Sequence, residues 1–219
     1  MPVNIKYLEA FVEGEYFHVI AKAVGGNVLF RNDENKIYFL NQYFHYLYPY
    51  VETYAFCLLD NHVHWLVKCK KEKELFDSIN QIDKPNRKKH QEYFLDGKIN
   101  FERELEYQWK DFFISYAMAY NTRYNRKGTL FVNPFRRIAV KDESHLHHLI
   151  IYIHANQIKH GLKNTIDKCT FTSYQTLLST KPTRLRRQEV LDLFIDEKNF
   201  KLDHQNAIEH YYVNPFNMG

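Results

Sequence analysis

The sequence predicts a single α+β domain followed by a helical C-terminal extension, and three observations carry this. Residues 54–59 and 62–67 are apolar, β-rich runs separated by the turn residues Asp60 and Asn61, so they read as two strands joined by a tight connection. Residues 107–124 and 143–159 repeat apolar side chains at helical spacing. At 219 residues the chain can bury a proper core as one domain, or as one domain and a small appendage.

The elements follow in order. Tyr16-Phe17-His18-Val19-Ile20-Ala21-Lys22-Ala23-Val24 is β-rich and partly alternating, and Gly25-Gly26-Asn27 ends it with turn chemistry. That glycine pair lacks the spacing of a phosphate loop. Asp33-Glu34-Asn35 starts a helix carrying Ile37, Phe39, Leu40, Tyr43, Phe44 and Leu47, and Pro49 stops it. Residues 70–106 are dominated by charge. Leu75, Phe76 and Ile79 suggest a helix at the start, and the rest, with Pro85-Asn86-Arg87-Lys88-Lys89, reads as a mobile insertion with a basic loop. Trp109, Phe112, Phe113, Tyr116 and Tyr120 then form one face of a helix that Asn125-Arg126-Lys127-Gly128 breaks. Residues 129–140 return as strand-like sequence. Leu146, Leu149, Ile150, Ile153 and Ile158 mark a strong helix over 143–159, which Gly161 terminates. A basic amphipathic helix over 187–195 lies in the extension, residues 181–219.

Composition narrows the function. Hydrophobic residues are 45% and charged residues 26%, which excludes a disordered chain, and 7 Gly with 6 Pro leave no low-complexity linker. No run approaches the roughly 18 apolar residues of a membrane span, and Met1-Pro2-Val3-Asn4-Ile5-Lys6 does not read as a signal peptide. Cys57, Cys69 and Cys169 are odd in number and scattered, so a reducing, cytoplasmic setting is expected. The net charge of +4 is weak evidence for a polyanionic partner.

Two H-x-H pairs stand out, His62-Val63-His64 and His145-Leu146-His147. With 12 histidines, chance alone supplies roughly 0.65 such pairs, so geometry has to separate them. On a strand, i and i+2 share a face, and His62 and His64 can reach one ion. On a helix they lie about 200° apart, so His145 and His147 cannot converge. Tyr152 and Asn156, at i and i+4, share one face of the 143–159 helix. Either they are ordinary packing, or Tyr152 is a nucleophile and Asn156 an amide ligand.

These residues resemble a known family. Leu58-Leu59-Asp60-Asn61-His62-Val63-His64-Trp65-Leu66-Val67 is similar to the histidine-hydrophobic-histidine (HUH) block of the single-tyrosine transposases, which include the insertion-sequence-200-like and REP-associated tyrosine transposases. Four further blocks appear in the same order. Tyr16-Phe17-His18-Val19 resembles the opening strand. Residues 120–131 with Pro134-Phe135-Arg136-Arg137 resemble the central basic segment. Tyr152-Ile153-His154-Ala155-Asn156-Gln157-Ile158-Lys159-His160-Gly161 resembles the catalytic helix, and Thr172-Ser173-Tyr174 the block after it. The likeness spans residues 14–180. Asp60 and Gln157 depart from it, each standing where the family commonly has proline. Gln157 also competes with Asn156 as amide ligand, but it points about 100° away on a regular helix, so Asn156 is preferred.

The resemblance implies a ferredoxin-like sandwich with a central antiparallel sheet and helices on one face, formed by residues 1–180. It implies a nuclease and strand transferase acting on single-stranded DNA with hairpin elements, as monomer or homodimer, in the bacterial cytoplasm near the nucleoid. Carried over, the metal ligands are His62, His64 and Asn156, and Tyr152 is the catalytic nucleophile that forms a covalent phosphotyrosine. Two imidazoles and an amide suit Mg²⁺ tolerably and Mn²⁺ better. Arg123, Arg126, Lys127, Arg136 and Arg137 form the expected DNA-binding set, with Arg184, Arg186 and Arg187 as a weaker second. Tyr116, Tyr120 and Tyr124 read as helix-face core before stacking platform. The rival readings are a domesticated hairpin-binding protein of the same fold that no longer cleaves, a phosphodiesterase that uses water, and an RNA-directed nuclease.

Overall fold

The computed structural model describes residues 7–210. The sequence reading of residues 1–6, and of the extension beyond 210, lies outside the described residues. β1 (Tyr16–Lys22) leads to α1 (Asp33–Leu47), whose N-cap Asn32 accepts a hydrogen bond from the Asn35 backbone. β2 (Val51–Leu59) and β3 (His62–Cys69) form the expected hairpin about Asp60-Asn61. Then come α2 (Glu72–Asn80), a 3-10 turn (Lys84–Asn86), α3 (Lys89–Leu95) and the long α4 (Phe101–Arg123). β4 (Arg136–Ala139) and α5 (Glu143–Lys159) follow. α6 (Tyr174–Leu178), α7 (Arg187–Leu193) and α8 (Glu197–Ile208) complete the described chain.

The sheet order is β2-β3-β1-β4, with every pairing antiparallel. With α1 and α4 as crossovers this is the β-α-β-β-α-β pattern of the ferredoxin-like fold. Strand alternation divides the faces. Trp65 of β3 points to one side, where it meets Phe39 and Tyr43 of α1 and Trp109 of α4. His62 and His64 point to the other side, which α5 covers. The two crossover helices thus share one face as expected, and α5 adds a layer on the opposite one. The Trp65 face is mainly apolar, and its two buried polar side chains are both satisfied by the crossover helices: Thr53 by Tyr43 of α1 and Arg137 by Glu106 of α4.

Three expectations change. The 70–106 segment packs onto the fold through paired charges and buried apolar residues, although Phe76 stays exposed. Lys88 bridges to Asp111 at 2.7 Å, and His90 Nδ1 lies 2.7 Å from the fully buried Glu104. Gln91 donates to Tyr50 Oη at 2.8 Å, and Phe94, Phe101 and Leu105 are core. α4 accordingly starts at Phe101, before the apolar face read from sequence, because Asn100 caps it there. The 129–140 return is a strand only over β4, with Phe131 making an isolated bridge to Ala23.

The extension is continuous with the core. Leu185 bridges to Thr53, and the Arg186 amide donates to the Thr53 carbonyl. α7 is shorter than read, and α8 after it packs on α5 through a buried polar chain. His204 Nδ1 lies 2.7 Å from the Phe200 carbonyl, so it carries the proton, and Nε2 accepts from His154 Nδ1 at 2.8 Å. His154 Nε2 accepts from Ser173 Oγ at 2.7 Å, and Ser173 Oγ accepts from the Phe56 amide at 2.9 Å. Burial and the neighbouring His204 push His154 well below its ordinary pKa. Burial, with a smaller push from His147, takes His204 down to about 4 against the bond to Phe200. Both folded-state values lie below the unfolded value, so the stability these groups contribute is present above about pH 6.5 and is lost as pH falls toward 4. His204 alone accounts for roughly 3 kcal/mol of that loss. Thermal scans across pH 7 to 4 are expected to show a steep fall in Tm. A flat profile would contradict neutral burial of the pair.

Among the described residues, no helix is long and apolar enough to cross a membrane.

Candidate active site

β3 is the strand that makes the site possible. Its period of two sets His62 and His64 on the face beneath α5, with ring centroids 5.1 Å apart, while Val63 and Trp65 enter the opposite layer. Neighbouring β1 runs antiparallel in register, pairing Lys22 with His62 and Ile20 with His64. α5 carries Tyr152, Asn156, Lys159 and His160 along one side. Packing of α5 on β2 and β3 brings the Tyr152 ring to 5.7 Å from His64 and 6.0 Å from His18. His160 stacks edge-on to His62 at 5.0 Å. His62, His64, Tyr152 and His160 line a cleft of about 640 Å³ with Lys22, Lys159 and Arg136 on its walls.

The imidazoles are prepared as neutral donors. Burial, reinforced by His160, Lys22 and Lys159, takes His62 down to about 4. Burial, reinforced by His18, His62, His160 and Lys159, takes His64 to about 2. His62 Nδ1 is bonded to Asn61 Oδ1 at 2.7 Å, and His64 Nδ1 to His18 Nε2 at 2.9 Å. No partner falls to Nε2 of either ring among the described residues.

Asn156 lies one turn beyond Tyr152, wholly buried, and does not surface in the cleft. Its Nδ2 donates to the Tyr152 carbonyl at 2.8 Å, while its Oδ1 is buried with no hydrogen-bond partner. Leaving such an atom bare costs about 1–3 kcal/mol, and a hard cation takes a carbonyl oxygen of this kind. Gln157 is committed elsewhere: it donates to the Thr170 carbonyl and accepts from the Thr170 amide at 3.3 Å. No three His, Cys, Asp or Glu side chains gather as a ligand set among the described residues. Two imidazoles, with the bare Asn156 amide oxygen as a third donor, have a chemistry that suits a divalent ion of the Mn²⁺ type.

The basic residues divide. Arg136 is exposed on the cleft wall over the Tyr7 ring, and Lys127 is exposed on the turn after α4. Arg123 is exposed but paired with Glu34 at 2.6 Å. Arg126 staples its own turn through the Asn121 side chain and the Gly128 and Thr129 carbonyls. Arg137 is no surface group: it is buried, paired with Glu106 and bonded to the Glu9 carbonyl. In the tail, Arg186 pairs with Glu52 and Arg187 donates to the Thr176 carbonyl, so both serve packing. Tyr116 and Tyr120 are core, their hydroxyls donating to the Leu29 and Val28 carbonyls.

The sequence reading missed Lys22, Lys159 and the role of His18. Lys159 was findable, since it lies two turns from Tyr152 on one helix face, and its Nζ is 3.5 Å from the Tyr152 hydroxyl. Lys22 and His18 depend on strand register, which no local pattern reveals.

No family model matches the chain. No curated protein matches it either. Among solved structures, a REP-associated tyrosine transposase bound to a REP hairpin superimposes with a TM-score of 0.55 at 11% identity, covering 80% of this chain and 86% of that one. At that identity the likeness speaks of fold, and it reaches across most of both chains. This chain therefore has the fold of a REP-associated tyrosine transposase.

Proposed function

We propose that the chain is a single-tyrosine HUH nuclease and strand transferase that cuts single-stranded DNA at hairpin-flanked sites. The observation that carries this is the meeting of Tyr152 with the His62/His64 pair: segments far apart in sequence put a phenol beside two neutral, Nε2-free imidazoles. The hairpin-bound structural neighbour supports the substrate class.

The Tyr152 oxygen attacks the scissile phosphorus. The Oη–P bond forms, the P–O3′ bond breaks, and the departing 3′-oxygen takes up a proton as the phenol gives one to solvent. A divalent ion held by His62, His64 and Asn156 would neutralise charge on a non-bridging phosphate oxygen. Lys159 Nζ lies beside Tyr152 Oη, where it would stabilise charge developing on that oxygen when it leaves on rejoining. Lys22 and Arg136 hold the backbone phosphates along the cleft. The phosphotyrosine bond stores the energy of the cut linkage, so rejoining needs no nucleotide triphosphate.

The test is a denaturing gel of the protein with end-labelled hairpin DNA from the flanks of its own gene. With Mn²⁺, and no less with Mn²⁺ than with Mg²⁺, a slow covalent band is expected, with EDTA none. Mass spectrometry of the band should place the nucleotide on the peptide holding Tyr152. Cleavage without an adduct would make water the nucleophile. Tight binding without cleavage, across a broad hairpin set, would make the chain a non-cleaving hairpin binder.

A further inference from the structure

We propose that His18 is a positioning residue for His64, accepting the His64 Nδ1 proton so that Nε2 is presented as a lone pair. The inference rests on the reading of His64 as a metal ligand. It concerns a residue of β1 that supplies no donor to the cation itself.

The register makes the contact. Ile20 sits directly opposite His64, so His18 is the diagonal neighbour on the same face, within reach of a long side chain. Its Nε2 lies 2.9 Å from His64 Nδ1, and the rings stack at 5.1 Å with an interplanar angle of 25°. Both side chains are buried, at 7% and 4% exposure. Two neutral imidazoles can share this bond in only two ways. If His18 Nε2 donates, His64 accepts at Nδ1 and carries its own proton on Nε2, where it cannot ligate. If His64 Nδ1 donates, its Nε2 is free for the cation. The partner ligand shows how such a choice is set. His62 Nδ1 faces Asn61 Oδ1 at 2.7 Å, an oxygen that can only accept, so His62 is held in the ligating tautomer. His18 holds His64 likewise once its own proton is on Nδ1. A ligating histidine commonly has its second nitrogen bonded to such an outer partner, and loss of the partner weakens metal binding by about 10–100-fold.

Packing alone would not ask for a histidine. The site lies against the Tyr152 ring, 6.0 Å away, which a leucine would cover as well. This separates the two roles. His18→Leu keeps the volume and removes the acceptor. His18→Gln keeps an acceptor near the same place.

The test uses the full-length protein without DNA. Mn²⁺ affinity is measured by titration calorimetry for wild type, His18→Leu and His18→Gln, with Tm recorded to confirm folding. Long-range ¹H–¹⁵N spectra of the metal-free wild type report the His64 tautomer, with His62 as internal reference. We expect the Nδ1–H form at both rings, weakening of Mn²⁺ binding by about 10–100-fold in His18→Leu, and near-wild-type binding in His18→Gln. Unchanged binding in His18→Leu overturns the inference alone. Equal weakening in both variants, or an Nε2–H tautomer at His64, does the same. Absence of Mn²⁺ binding by the wild type overturns the metal reading and the inference with it. The spectra stand even if a variant fails to fold.

Discussion

Tyr152→Phe is expected to abolish the covalent protein–DNA band while leaving hairpin affinity and Tm near wild type. The ring supplies the packing of this residue, against His18 at 6.0 Å and His64 at 5.7 Å, and phenylalanine keeps it. What is lost is one oxygen whose protein contact is the exposed Lys159 at 3.5 Å. A hydrogen bond of that kind is worth about 1 kcal/mol at most to the fold. For the reaction the same oxygen is the whole nucleophile. Its removal should lower adduct formation by at least about 10⁴-fold, the scale seen when an enzyme loses its attacking group. Adduct yield on a denaturing gel and hairpin affinity by fluorescence anisotropy separate the two effects. An adduct that survived the substitution would falsify the assignment of Tyr152. Parallel loss of affinity and adduct would make the residue a binding group.

The largest stability effect is expected at Trp65. The residue is fully buried, 5.3 Å from Tyr43, 5.7 Å from Phe39 and 5.4 Å from Trp109, so it joins β3 to both crossover helices. Trp65→Ala removes that contact and leaves a cavity, at about 3–5 kcal/mol. For a domain of this size the shift in Tm should be about 10 °C. Trp65→Phe is expected to cost far less, about 1–2 kcal/mol, for a specific reason. The Trp65 indole N–H is buried with no acceptor, and phenylalanine removes that unsatisfied donor along with the second ring. Calorimetric unfolding of both variants checks the ordering. Equal losses would mean that the indole N–H finds an acceptor in solution. Because His64 and Trp65 are adjacent on one strand, the alanine variant also loosens the face that carries the histidines. Mn²⁺ affinity should fall with it, and the phenylalanine variant should keep it.

Much of the architecture was legible from local pattern. The helix over Glu143–Lys159 was readable to its ends, because a run of leucine and isoleucine at helical spacing sits between Asp142, which caps it, and Gly161, whose positive φ of 68° suits a helix stop. The strand pair about Asp60-Asn61 was readable for the same kind of reason, and with it the shared face of His62 and His64. In each case, periodicity and turn chemistry act over a few residues and leave their mark in the sequence. The charged stretch before α4 was not legible. Its side chains look solvated until their partners are known, and Glu104, His90 and Asp111 find one another only across helices.

The sequence by itself determined the strand that carries the two histidines, the helix that carries Tyr152 and Asn156, and the mixed α+β class. The tertiary structure decided that these two elements meet, that Arg137 turns inward to Glu106 while Arg136 faces the cleft, and that α8 locks onto α5 through His154 and His204. It also decided that His18 touches His64. The physical reason is the range of the forces involved. Backbone periodicity is set by near neighbours, whereas the pairing of buried polar groups depends on sheet register and helix packing between segments distant in the chain.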